Sequence, residues 1–162
     1  MESALRSIFR HNAWANQRLL GHLRELSDEQ LTATTTAVYG GVLSTMHHVI
    51  VGESAYLSFF TGRMPSWFQP ESVPATLQQI QLWERDIAVS WEGLPLADID
   101  GDEVLEHTRP DGTVTRLKSG IVIAQVIHHG NVHREQVSHI LTDLKIEVPD
   151  LSLYAYAREA SE

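Results

Sequence analysis

Gln125-Val126-Ile127-His128-His129-Gly130-Asn131-Val132-His133-Arg134-Glu135-Gln136 sits inside a proline-free stretch from about Lys118 to Leu144 whose apolar residues recur at helical spacing. The stretch reads as one long helix. His129 and His133 are four residues apart, so a helix stacks both imidazoles on one face. Two imidazoles so placed can hold one metal ion, which a third histidine from another helix would complete. His48 is the best third, because it falls mid-way along a second helical stretch, about Val42 to Phe60. Its neighbour His47 points about 100° away on a 3.6-residue helix, so only one of the two is expected to aim inward. His128 stands in the same relation to His129.

The other helices follow from the same periodicity. Leu5, Ile8, Phe9, Leu19, Leu20, Leu23 and Leu26 give a first helix from Ser3 to Leu26. Ser27-Asp28-Glu29-Gln30 is a capping box for a short turn. Thr32 to Thr36 is β-branched and polar, a loop, and Gly40-Gly41 breaks the chain before the second helix. A third helix follows Pro74, a residue suited to a first helical turn, with Leu77, Ile80, Ile87, Trp91 and Leu94 as its core stripe; Gly93 and Pro95 close it. Asp111-Gly112 signals a turn between Val104–Thr108 and Thr113–Leu117, a short β-hairpin. After Pro149, the side chains of Leu151, Leu153, Tyr154 and Tyr156 can pack a C-terminal segment onto the body. The fold class is therefore all-α, a four-helix bundle with a hairpin between helices three and four. The 162 residues are expected to form a single domain.

Composition narrows the function. The net charge of -9 disfavours nucleic acid and anionic membrane surfaces, both of which call for clustered Lys and Arg. There is no cysteine, so zinc–thiolate clusters and cysteine nucleophiles are excluded. No basic-then-apolar leader opens the chain, and no apolar run reaches membrane-spanning length, so the cytoplasm is the expected location. The zinc-protease pattern fails, because Gly130 follows His129 where a catalytic Glu would be needed. The di-iron pattern fails as well, because no Glu has a His three residues later.

Three motifs carry a family resemblance. They are Asn12-Ala13-Trp14-Ala15-Asn16-Gln17-Arg18-Leu19-Leu20, Ser44-Thr45-Met46-His47-His48-Val49, and a closing His-x-x-x-His-Arg-x-Gln pattern of His129, His133, Arg134 and Gln136. In this order, with the tail Val148-Pro149-Asp150-Leu151, the chain resembles the DinB family. The superfamily also includes YfiT-like thiol transferases and mycothiol-dependent maleylpyruvate isomerases. The resemblance implies a four-helix bundle, a metal site of His48, His129 and His133, and frequently a homodimer. Two positions depart from the pattern: Val132 replaces a further His, and Glu135 replaces a Gly and puts an acid near the site.

Imidazole suits zinc, nickel, iron and copper alike; zinc is the expected ion. Metal-bound imidazoles usually donate their second nitrogen to an acceptor, for which Gln125 and Gln136 are candidates. Glu53, five residues past His48, is expected to face elsewhere, in a solvated or helix-pairing role. Gly52, one turn past His48, either leaves room above the metal for a substrate or allows close helix packing. Asn12, Trp14 and Asn16 are expected near the pocket, with Trp14 equally suited to the core. Tyr56, Phe59, Trp67 and Phe68 are candidate pocket walls, or else core. The expected function is a metal-dependent enzyme of small molecules, a thiol S-transferase using an external low-molecular-weight thiol. The alternatives are a metal-dependent hydrolase and a non-catalytic metal-binding stress-response protein. No residue stands out as general base.

Overall fold

The computed structural model describes residues 3–108 and 112–161. Among them the elements run α1 (Ala4–His22), a 3-10 turn (Leu23–Glu25), α2 (Asp28–Thr32), α3 (Val42–Thr61), α4 (Leu77–Glu92), β1 (Val104–Thr108), β2 (Val114–Lys118), α5 (Ser119–Asp143) and α6 (Leu153–Glu159). The four long helices are those the periodicity gives, with two short ones added. Their starts are set by side-chain caps: Ser3 accepts from the Arg6 amide ahead of α1, and Ser27/Gln30 and Thr76/Gln79 form reciprocal capping boxes ahead of α2 and α4. Pro74 is therefore not in the first turn of α4. It stands two residues before the Thr76 cap, in the loop. Helix α1 is also shorter than its apolar stripe, tightening into the 3-10 turn after His22. Gly62 ends α3 at φ 70°, a conformation that a side chain would resist.

The long helices close a ring: α1 packs on α4 and α5, and α3 packs on α4 and α5. Tyr56 meets Gln125, whereas His48 meets His129 and His133, so α3 and α5 run antiparallel. Leu19, Leu20, Leu23, Met46, Ile50, Ile80, Ile87, Ile140 and Leu141 fill the interior. Helix α3 is buried almost all round, as its unbroken apolar character implies. The strands pair antiparallel from Val104↔Lys118 to Thr108↔Val114. Of the expected Asp111-Gly112 turn, Asp111 lies outside the described residues, and Gly112 has φ 83°.

The C-terminal segment returns to the body through two of its four expected side chains. Leu151 packs on the core, and Tyr156 lies against the Trp14 ring at 5.6 Å. Leu153 and Tyr154 remain exposed. Trp14 is thus not a core residue: its Nε1 donates to Glu159 Oε2 at 2.9 Å, and Arg18 lies over its ring and pairs with the same carboxylate. No helix among the described residues is long and apolar enough to cross a membrane.

Glu84 is an acid inside this core, 2% exposed. Gln17 Nε2 donates to its Oε1 at 3.2 Å, and Oε2 has no partner among the described residues. Burial, and then the charge of Glu53, push its carboxyl up to about 8 from 4.5. The folded chain then keeps a proton that the unfolded chain loses above pH 4.5. Stability present below that pH is withdrawn as pH rises through about 8. Glu84→Gln, which mimics the protonated acid, is expected to flatten this decline and to be more stable than wild type at pH 9, by at most about 5 kcal/mol. Urea unfolding of both proteins from pH 5 to pH 9 measures the difference; parallel curves would refute it.

Candidate metal centre

Antiparallel packing of α3 on α5 brings His48 against the stacked pair His129 and His133. The three ring centroids stand 4.5–4.7 Å apart, and one nitrogen from each ring lies within 4.8 Å of the other two. His48 Nε2 and His129 Nε2 are 2.9 Å apart. The helices approach this closely because Gly52 lies under His129. A Cβ at Gly52 would stand 2.7 Å from His129 Cε1 and 3.3 Å from Nδ1. Gly52 therefore makes the seat of a histidine, rather than space above a metal for a substrate.

The outer sides of two rings are held by acceptors. His133 Nδ1 lies 2.8 Å from Gln136 Oε1, which leaves Nε2 for the centre. His48 Nδ1 lies 3.0 Å from Glu71 Oε2, off the straight line that a ring N–H prefers. Tyr39 joins both partners: its backbone N–H donates to Gln136 Oε1 at 3.2 Å and its hydroxyl to Glu71 Oε2 at 2.5 Å. Its ring stacks on His48 at 4.0 Å. His129 has no such support, because its Nδ1 is buried without a partner among the described residues.

The electrostatics favour bare imidazoles. Burial, then the neighbouring His133 and His48, bring His129 down to about 4, against the pull of Glu71. Burial also lowers His133, partly offset by Gln136. For Glu71, burial works against the charge. The Tyr39 hydroxyl and the two imidazoles His48 and His47 outweigh it and hold the carboxyl below its usual range. The Glu71 bond first, then burial, push the Tyr39 phenol up to about 12. At neutral pH His129 and His133 are neutral nitrogen donors, and Glu71 beside them is a carboxylate. Two nitrogens about 2.0–2.1 Å from one ion at a tetrahedral angle stand about 3.3 Å apart. The 2.9 Å approach is close to that spacing. By donor type, charge state and spacing, the three side chains fit a divalent ion, and this three-histidine group could hold one.

Other expectations fare unevenly. Both His47 and His48 turn inward, to different places. His47 is 5% exposed, faces Trp83 at 5.7 Å, and lines a cavity of about 300 Å³ with Leu31, Leu43, Glu71 and Pro74. His128 is exposed. Gln125 donates to the Tyr56 hydroxyl at 3.3 Å instead of serving His129, and the Tyr56 ring stands edge-on to His129 at 5.7 Å. Phe59 lies on His107, and Trp67 stacks on Trp83; neither contact is to the three histidines. Phe68 is half-buried.

Glu53 is not solvated. It is 2% exposed and accepts from Asn12 and Asn16, each at 2.9 Å. The oxygens of those amides accept from buried Arg134 at 2.9 and 2.6 Å. Burial pushes the Glu53 carboxyl up, against the pull of the two amides and Arg134. The network joins α1, α3 and α5 on a face of α5 about 100° round from His133. Gly130 admits it, because a Cβ there would stand 2.8 Å from Asn12 Oδ1. Glu135 is exposed; the acid at the centre is Glu71.

Sequence reasoning missed Tyr39 and Glu71. Both sit in polar loops without periodicity, and no spacing rule ties either residue to a histidine.

The DinB family model matches residues 1–161. Among curated proteins, the chain is similar to Protein DinB of Bacillus subtilis (strain 168), at 18% identity over 146 residues, covering 83% of this chain and 82% of that protein.

Gly52→Ala tests the seat of His129. Alanine is the better helix former by about 1 kcal/mol, and the atom it would strike is the far end of a side chain that can turn away. Thermal stability of the metal-free protein is expected to change little, while affinity for Zn²⁺ falls at least about tenfold. Calorimetric titration beside a melting curve separates the two effects; unchanged affinity would show that the ring position does not matter.

Proposed function

The chain belongs to the DinB family, and from that premise we propose a metal-dependent enzyme of small molecules in which His48, His129 and His133 hold a divalent ion through their Nε2 atoms. The expected ion is zinc, the expected reaction is transfer of a low-molecular-weight thiol, and the working form is a cytoplasmic homodimer. The observation that carries the reading is the convergence of three imidazoles from two helices, two of which, His129 and His133, burial holds neutral. An ion held by three neutral ligands keeps its full charge and supplies Lewis-acid activation of a thiol.

The chain's own residues divide the remaining work. The three histidines fix where the sulfur meets its target. With no cysteine in the chain, that sulfur comes from an external thiol. Gln136 and Glu71 orient His133 and His48 from behind. Glu71 already accepts from Tyr39 and stands against His48, so it is not assigned the part of a free general base. Tyr56, edge-on to His129, and Gln125, one turn before His129, offer polar atoms for orienting a substrate.

The test combines elemental analysis of the purified protein with conjugation of small thiols to a chlorinated aromatic compound. In that reaction the sulfur–carbon bond forms as chloride leaves, and the thiol proton passes to solvent. Conjugation is expected to depend on the metal and to fall more than about a hundredfold in His129→Ala, a larger loss than an outer-sphere change causes. Ester hydrolysis without thiol would replace the transferase with a hydrolase. A chelator effect confined to the melting temperature would leave the ion a structural part of a non-catalytic protein.

A further inference from the structure

Tyr39 touches the centre in three ways at once, and hydrogen-bond polarity makes those contacts informative. A backbone N–H can only donate. The Gln136 atom facing the Tyr39 amide at 3.2 Å is therefore the side-chain oxygen, which settles which way the amide points. The same oxygen faces His133 Nδ1 at 2.8 Å. In the neutral ring, His133 Nδ1 must then carry the hydrogen, and Nε2 is bare. The Tyr39 hydroxyl reaches the other ring through Glu71: it donates to Glu71 Oε2, the oxygen that His48 Nδ1 faces at 3.0 Å, and His48 thereby turns its Nε2 inward, 2.9 Å from His129 Nε2. One residue of the α2–α3 loop thus touches the outer partners of two rings on two helices.

The stacking of the Tyr39 ring on His48 at 4.0 Å fixes the plane of that ring as well. The segment carrying Tyr39 is held in a specific shape. Ala37 has φ 62°, a region a non-glycine residue enters at a cost, and Thr34 Oγ1 donates to the Gly40 carbonyl across the loop at 3.2 Å. His129 is placed differently: Gly52 lies under its ring, and its Nε2 meets His48 Nε2 at 2.9 Å.

We propose that Tyr39 and Glu71 are positioning residues of the three-histidine centre: Glu71 holds His48 with its Nε2 directed inward, and Tyr39 sets Glu71 and Gln136 together. The role rests on the reading of His48, His129 and His133 as metal ligands. Neither residue touches substrate in this role. Both act through imidazoles, as outer partners that orient a ligand and raise its basicity. The two loops, residues 33–41 and 62–76, are thereby part of the centre, although it is built on helices α3 and α5.

The test is a Zn²⁺ titration of the full chain against a chromophoric chelator, with Co²⁺ absorption spectra as a second readout. Glu71→Gln keeps the shape and removes the charge; Tyr39→Phe removes only the hydroxyl. Glu71→Gln is expected to weaken Zn²⁺ binding about 10- to 100-fold and to shift the Co²⁺ visible bands, and Tyr39→Phe to weaken binding severalfold. Both sites are exposed, so the urea midpoints of the metal-free variants should match wild type, which a purely structural role would not predict alongside lost affinity. If His129→Ala abolishes binding while Glu71→Gln keeps wild-type affinity and spectrum, the positioning role is wrong and the three-histidine centre stands. If wild type binds no metal, or His129→Ala binds as wild type does, the centre itself is wrong and the positioning role falls with it.

Discussion

The close approach of α3 to α5 at Gly52 is the constraint on which the rest of the centre depends. Two helices with ordinary side chains at their crossing pack 8–10 Å apart. Here a glycine on α3 faces a histidine on α5, and an ideal Cβ in its place would overlap the imidazole. Shape thus locates His129, and His129 in turn locates His133 one turn on and meets His48 one turn back along α3. The fold does not have to search for this geometry with flexible loops. Four-residue spacing on each of two antiparallel helices supplies it.

A second constraint acts from behind α5. Residues adjacent on a helix point about 100° apart, so the exposure of His133 to the centre goes with burial of Arg134 on the other side. Arg134 is 3% exposed, and its partners come from α1 as the amides of Asn12 and Asn16, with Glu53 of α3 beyond them. A cation and an acid so deeply placed bring little net stability, since desolvation offsets most of the attraction. What they do bring is register. Any sliding of α5 along α1 or α3 leaves a buried charge without its partner, a penalty of about 3–5 kcal/mol. The rotation of α5, and with it the direction of His129 and His133, is thereby fixed by polar contacts that never reach the centre.

The helices and the three histidines were legible in the sequence because both rest on periodicity. The 3.6-residue repeat gives the long helices, and the four-residue spacing of His129 and His133 gives a shared face. What was not legible depends on contacts between distant segments. Glu53 looks misdirected when counted from His48 on one helix, and its burial appears only once α1 brings Asn12 and Asn16 to it. His47 looks like the outward member of a pair until Trp83 of α4 covers it. Glu71 and Tyr39 lie in loops whose paths no repeat predicts. Gln125 and Gln136 have equal standing as helix positions, yet only Gln136 reaches a ring nitrogen, because Tyr56 draws Gln125 the other way. The α1 stripe ran on to Leu26, but the chain tightened after His22 while still burying Leu23.

The three histidines are therefore alike in type and unlike in support. His133 has a hydrogen-bonding acceptor behind it, His48 has the Glu71 carboxylate at 3.0 Å and the Tyr39 ring stacked on its face, and both outer partners meet on Tyr39. His129 has an outer nitrogen without a partner among the described residues and is held by the space that Gly52 leaves. Packing restrains where a ring sits but does not choose which nitrogen carries the hydrogen; an acceptor chooses the hydrogen but tolerates small displacements. The centre is supported in both ways, by polar contact at two rings and by shape at the third. His129 is also the deepest of the three, and burial more than any neighbour keeps its ring from taking up a proton.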